Sequence, residues 1–436
     1  MVAKGQALRG KNASQALIKS SWYEDDLIDR PDFPEFNGEE DCEVAIIGGG
    51  FTGLSAAYHL AKAGVKVILL EAKKLGDGAS GRNGGQLGTG HRQWVGDLEK
   101  IYGFTRTKAL FDLAEKAKDH LLSLSASENF SIDYQEGHLS VAHRPKFLQY
   151  YAHHIEDMLR YGYTHLELLS KDVIAEKLGS KFYYGGIRDS ATGHIHPLKA
   201  VVGLALSAQK HGAKIFEKSL VFSIKKVNKT YYLYSNKGSV KTKRILLATN
   251  AYNLNLQIKA QKYVAAIHSY IGATEPLPPE SDILPMKESV DDSRFVVRYF
   301  RKTKENVLLF GGAENYTSIG RFDSTKEICK QLIEVYPQLK DVSLTHSWGG
   351  RVGITRQRMP YVRHITKEVT YCGGYSGHGV MLAPYVGKLY ADALLGHGQE
   401  FNLLQELKIS PFPGGLILRR PVLFLAMHWF SLLDRL

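Results

Sequence analysis

Hydrophobic positions along this chain follow two patterns. From Cys42 the run CEVAIIG is almost continuously apolar, and VKVILLE repeats that character after the amphipathic stretch GLSAAYHLAKAG. Such strands on either side of a helix predict a βαβ unit in a parallel sheet covered on both faces. The segment 108–124 has helical periodicity. Residues 131–142, 214–248 and 292–312 favour strands, the last two as alternating or β-branched, hairpin-like runs. A strand at Thr370 and Tyr371 then enters the turn CGGYSGHG, which opens a helix over 380–395. The chain therefore reads as α/β: a parallel-sheet domain, interrupted by an inserted α+β domain with an antiparallel sheet. The expected division is an arm over 1–40, the parallel-sheet domain over 41–90, 185–262 and 345–400, the inserted domain over 91–184 and 263–344, and an apolar helix or tail over 401–436.

The turn after the first strand carries the first chemistry. Gly48-Gly49-Gly50-Phe51-Thr52-Gly53 fits GxGxxG, with a strand before it and a helix after it. Gly48 permits the tight turn, Gly50 lets the backbone approach a pyrophosphate, and Gly53 lets helix and strand pack closely. Glu71 ends the second strand 23 residues after Gly48, where a carboxylate can bind ribose hydroxyls. A Rossmann-like dinucleotide domain follows, though these residues alone leave NAD and FAD both open. The run Gly78-Ala79-Ser80-Gly81-Arg82-Asn83-Gly84-Gly85-Gln86 is too polar for a core and too long for a turn. It suits a backbone that wraps a bulky cofactor.

Composition changes this picture little. The 436 residues allow two or three domains, and 44% hydrophobic with 23% charged residues excludes a disordered, collagenous or coiled-coil chain. Cys42, Cys329 and Cys372 form no CxxC pair, which excludes a disulfide scaffold or a cysteine-ligated metal and suits a reducing, cytoplasmic setting. The net charge of +12 suggests nucleic acid or an anionic membrane. Its excess lies largely in an acid-free N-terminal stretch (Lys4, Arg9, Lys11, Lys19) and in Arg351, Arg356, Arg358 and Arg363, without any RNA-binding motif. No nucleic-acid partner is therefore expected. The first stretch also lacks the apolar run of a signal peptide. At the other end, residues 416–436 are apolar but too short in their clean core to span a bilayer. They read as a helix packed on the body, or as a peripheral membrane contact through Trp429 and Phe430.

Taken together, VAIIGGGFTGLSAAYHLAKAG, LLEA, GASGRNGGQ and the distant GGYSGHGVMLAP resemble the FAD-dependent amine and amino-acid oxidoreductases, the group of D-amino-acid, glycine and sarcosine oxidases. SWYE, WGGRVGITRQRMP and PFPGGLILRRPVLFLAMHW are similar to the members that oxidise γ-glutamylputrescine. The resemblance implies FAD, with Gly48, Gly50, Phe51, Thr52 and Gly53 at the pyrophosphate and Glu71 and Ala72 at the adenosine ribose. It implies Ser80, Arg82, Asn83, Gly84, Gly85 and Gln86 along the flavin, Val221 at the adenine, and Thr249 and Asn250 returning to the pyrophosphate. Gly374, Gly377, His378, Gly379 and Val380 would meet the pyrimidine edge, where N–H groups at a helix start stabilise the charge of reduced flavin. Relatives with covalent FAD use a His where this chain has Asn83, or a Cys within 353–360 where it has none. FAD is therefore expected to be non-covalent.

The implied reaction is oxidative deamination. A hydride equivalent passes from the substrate Cα to flavin N5, the imine hydrolyses, and O2 becomes hydrogen peroxide; a membrane quinone is the alternative acceptor. Alternation in RFVVRYFR sets Tyr299 and Arg301 on one face. Tyr299 is the expected flavin-facing group, with Arg301 or Arg351 as the anchor for a substrate carboxylate. His268 is a second catalytic candidate, with Tyr270 beside it. His194 and His196 have strand spacing for a metal pair but no third ligand, so no metal is expected.

Overall fold

The computed structural model describes residues 20–252, 256, 258–315 and 322–414. The expectations for the N-terminal tail and for the segment 416–436 lie outside them.

Two sheets organise the chain. The first has Gly38–Ile47 at its centre, paired in parallel with Gly238–Leu247 on one side and Val67–Leu70 on the other. Lys214–Phe216 extends it in parallel beyond Val67–Leu70, and Val369–Gly373 does so beyond Gly238–Leu247. Only its margins are antiparallel: Tyr361–His364, and the hairpin Ser223–Val227 with Thr230–Ser235. In the central strand the first half is mostly exposed, whereas Val44 to Ile47 is buried throughout. That change follows from covering: Val44 and Ile46 lie beneath helices, while Ala45 and Ile47 pack on the other face with Val221, Tyr231, Leu233 and Val264.

The helix Phe51–Lys62 buries ten of its twelve residues. It packs between the sheet, the helix Pro197–Lys210 and the helix Gly379–Leu394. Small residues (Gly53, Ala56, Ala57, Ala61) let these helices approach closely. The βαβ unit and the second glycine-led helix thus form as the periodicity predicts.

The second sheet runs in the order 344–354, 265–276, 307–315, 299–302, 289–292, 135–141, 186–194 and 86–87. Its pairings are antiparallel except that Ser289–Asp292 runs parallel to Gln135–Val141. Gly186–His194 and Leu344–Ile354, which linear order groups with the first domain, pair here instead. Hydrogen bonding to strands tens of residues away decides their membership, and local patterning carries no record of it. One buried face holds Leu139, Phe300, Phe310, Ile328 and Tyr336.

Candidate active site

The Gly48 turn and the Ser80 loop meet through a small set of bonds. Gly48 has φ +113°, and a Cβ there would lie 2.7 Å from Ala248 O. A Cβ on Gly53 would collide with Gly48 O, so the helix start can sit on the turn only as glycine. Glu71 Oε2 accepts from Gly49 N at 2.7 Å and Oε1 from Lys73 N at 2.9 Å. Burial raises the Glu71 pKa, and these two N–H groups oppose that rise. Ser80 Oγ accepts from Phe51 N at 3.0 Å, fastening the loop over the helix start. Ala72 is exposed just after Glu71.

From Arg82 to Gln86 the loop is held from several sides. Asn83 donates to Ala79 O and Ser80 O and accepts from Gly85 N. Arg82 Nε donates to Gly349 O at 2.9 Å, while Trp348 Nε1 donates to Arg82 O at 3.2 Å. Tyr23, in the short helix Trp22–Asp26, donates to Asn83 O at 2.8 Å. Gln86 enters the second sheet opposite His194.

Further along, Asn250 adopts φ +46° and joins three segments. Its Oδ1 accepts from Gly374 N at 2.9 Å and its carbonyl accepts from Tyr371 Oη at 2.7 Å. Gly353 passes so close to its amide that a Cβ there would overlap it. Thr249 precedes it at the end of the strand, and Val221 is buried among Ile47, Leu70 and Leu247. Gly374 through Val380 therefore return to the first turn, where Tyr375 Oη and Thr52 Oγ1 bond at 2.7 Å. His378 caps the Gly379–Leu394 helix without a side-chain bond to it. Burial, then Arg92 and His91, push its imidazole down to about 3, so it is neutral at pH 7.

The fit to a dinucleotide can be judged from these groups alone. Two helix starts, at Phe51 and Gly379, carry no acid in the first turn and no bond from their own N-cap side chain, and Ser80 Oγ takes only the Phe51 N–H. The remaining first-turn N–H groups suit a pyrophosphate and a reduced flavin ring. The Glu71 carboxylate supplies the ribose acceptor. The residues suit FAD.

Tyr299 and Arg301 lie behind the loop. A Cβ on Gly84 would fall 2.8 Å from the Tyr299 ring, and Tyr299 Oη bonds Ser269 Oγ at 3.0 Å. Arg301, 3% exposed, donates through Nε to Gly84 O at 2.6 Å. Its Nη2 reaches Tyr23 Oη and Ile195 O, each at 3.1 Å.

Arg351 contrasts with it. Exposed, it donates from Nε to His268 Nε2 at 3.2 Å, and its guanidinium lies 5.6 Å from the Tyr252 ring centre. Its backbone N donates to Tyr252 Oη at 2.9 Å. Accepting at Nε2 puts the His268 proton on Nδ1. The two candidates are neighbours because residues 268 and 351 are register partners on adjacent strands. Tyr270 lies against Gly349 and Phe322.

His194 ends its strand, so His196 leaves the sheet and caps the Pro197–Lys210 helix instead, accepting from Lys199 N at 3.1 Å. Among the described residues no three His, Cys, Asp or Glu side chains gather as a metal set. Tyr23, Trp348 and Tyr252 are site-building residues that the sequence reading did not single out. Their signal is an aromatic hydroxyl or indole N–H that needs a partner once buried.

A parallel nucleotide sheet, a second sheet laid against its glycine-rich loop and two helix starts free of acidic residues are the build of a flavin-dependent oxidoreductase. The chain belongs to the DAO family of FAD-dependent oxidoreductases, whose family profile matches residues 43–393. It is 48% identical over 416 residues to the probable oxidoreductase OrdL of Rhizobium meliloti (strain 1021), covering 95% of this chain and 97% of that one. It is 33% identical over 420 residues to the γ-glutamylputrescine oxidoreductase of Escherichia coli (strain K12), covering 96% and 98%. The crystal structure of glycine oxidase from Bacillus cereus ATCC 14579 shares the fold, with a TM-score of 0.69 and 22% identity over 83% of this chain and 97% of that one. The protein is thus an FAD-dependent oxidoreductase. Among the described residues no helix is long and apolar enough to cross a membrane.

Proposed function

We propose that the substrate is an amine bearing a distant carboxylate, γ-glutamylputrescine or a similar γ-glutamylated amine, and that O2 is the final acceptor. The observation that carries this reading is Arg351. Its terminal nitrogens have no hydrogen-bond partner among the described residues, and its stem is steadied by His268 and Tyr252. A guanidinium held in that way suits bidentate binding of a carboxylate. The similarity to an enzyme named for γ-glutamylputrescine supports the same class.

Bound FAD supplies hydride acceptance and the later reduction of O2 to hydrogen peroxide. The chain's own groups bind and orient. Arg351 anchors the carboxylate, and His268 fixes the direction of Arg351. Tyr299 and Arg301 act as positioning residues that hold Gly84 and its neighbours in place. Water then hydrolyses the released imine to an aldehyde and ammonia. Asn83 commits its amide to the loop, and no Cys falls within 353–360, which supports non-covalent FAD. Acid precipitation is expected to release the flavin into the supernatant.

The test is anaerobic flavin bleaching against γ-glutamylputrescine, putrescine, sarcosine, glycine and D-amino acids. γ-Glutamylputrescine should bleach fastest. Arg351→Ala should raise its apparent Kd about tenfold to a hundredfold, the range of a lost charge-assisted hydrogen bond, and leave putrescine unchanged. Equal bleaching by putrescine in the parent enzyme sinks the carboxylate anchor. Peroxide below one equivalent per turnover sinks O2 as acceptor.

A further inference from the structure

A cleft opens where the strand Tyr299–Lys302 ends, and none of the residues grouped around Arg351 line it. Its walls come from Trp22, the segment 133–135, His194, His196, Lys287 and the segment 301–305. Four cations (Lys287, Arg301, Lys302, Lys304) face two acids, Asp133 and Glu305. Asp133 is already taken by Lys304 at 2.9 Å and by Lys199 at 2.6 Å. The local balance is therefore positive.

Two groups in this cleft lack the partner their chemistry requires. Lys302 is only 3% exposed, and no hydrogen bond or ion pair holds its ammonium among the described residues. Its stem is buried while the ammonium reaches the cleft, where partial burial without a counter-ion disfavours the charge. Burial, and then Lys287, lower its pKa accordingly. The second group is His194, also 3% exposed, whose Nε2 donates to Lys287 O at 2.9 Å. Its Nδ1 is then a bare lone pair, buried and without a donor. Lys287 cannot answer either need, because its ammonium donates to Lys304 O at 2.9 Å.

We propose that this cleft is a binding site, separate from the amine site, for a small oxyanion that also carries one hydrogen-bond donor. Its anionic oxygens meet Lys302, with Lys304 at the rim, and its hydroxyl or N–H meets His194 Nδ1. Monohydrogen phosphate and a short hydroxy-carboxylate share this chemistry. Acetate has the charge without the donor. Arg301 forms part of the same wall and donates to Gly84 O, so the occupant sits one side chain away from the flavin loop.

Calorimetric titration of the FAD-loaded enzyme tests this with inorganic phosphate, lactate and acetate as separate probes. Phosphate or lactate, whichever is the natural class, should fill one site per chain, at least about tenfold tighter than acetate. Lys302→Met should weaken that binding about tenfold or more and leave the flavin spectrum unchanged. Replacing an unpaired ammonium by an apolar side chain of similar length does not threaten the fold. Lys304→Ala is the second variant and should weaken binding less. The ligand should also raise the parent Tm and not that of Lys302→Met. Absence of saturable binding by all three probes, binding undiminished in Lys302→Met, or displacement by the amine substrate each overturns the proposal.

Discussion

At the scale of single residues, the candidate site depends on side chains that never touch a reacting atom. Tyr23 is the clearest case. Its hydroxyl donates to Asn83 O and accepts from Arg301, joining the N-terminal helix to the flavin loop. Its neighbours are aromatic: His196 at 4.8 Å and Trp348 at 5.5 Å between ring centres. Tyr23→Phe keeps that packing and removes the hydroxyl alone. The loss of about 1 kcal/mol per bond should weaken FAD binding roughly fivefold to thirtyfold, read by titrating apoenzyme with FAD. Unchanged affinity in this variant would mean that the loop is held without it. The sequence offered SWYE only as part of a resemblance, because nothing local says that Tyr23 will meet Asn83. The Gly48 turn was legible for the opposite reason: its motif spans six consecutive residues, and the clash that keeps Gly53 a glycine, against Gly48 O, lies within them.

Elements show the same division between local and distant causes. The helix Phe51–Lys62 could be read from its apolar spacing and its glycine start, and so could Gly379–Leu394. Gly53→Ala should separate helix from turn, since its Cβ cannot avoid Gly48 O. The expected result is destabilisation of about 1–3 kcal/mol, the usual size of an overpacked site, with FAD binding lost in proportion. A thermal melt and an FAD titration on the same sample check both. Strand membership was less legible than strand existence. RFVVRYFR predicts the alternation that puts Tyr299 and Arg301 on one face, yet not what that face meets. Gly84 and Gly311 both leave room for the Tyr299 ring; Gly311 is its hairpin partner, but the Gly84 contact closes across a long stretch of chain. His268 and Arg351 become neighbours in the same way, through register.

For the molecule as a whole, histidine burial sets a pH dependence. Burial is the leading cause that pushes His59 and His378 down to about 3, and His91, His120, His143 and His154 to about 4. In the unfolded chain such imidazoles titrate near 6.5. Their depressed folded values mean that the unfolded state takes up protons first as pH falls. The stability tied to their neutral forms is complete above about pH 6.5 and declines progressively toward pH 4. Urea midpoints at pH 7 and pH 5 should differ clearly, with the lower value at pH 5. Coincident midpoints would mean that these groups protonate within the fold. The net charge of +12 predicted none of this, because it records how many charges exist and not which groups are kept neutral.

The alternation of the chain between its two sheets also sets an order of events during synthesis. A ribosome releases Gly38–Ile47 and Val67–Leu70 early, but their partner Gly238–Leu247 follows much later and Val369–Gly373 later still. Both sheets therefore stay incomplete in any nascent chain, each holding open an edge that a later segment must fill. Those edges are where a chaperone would have most to protect. Stalled chains ending before Val369 should not retain FAD, since the Gly379 helix start has not yet been made. The cofactor can seal the molecule only when almost all of it exists.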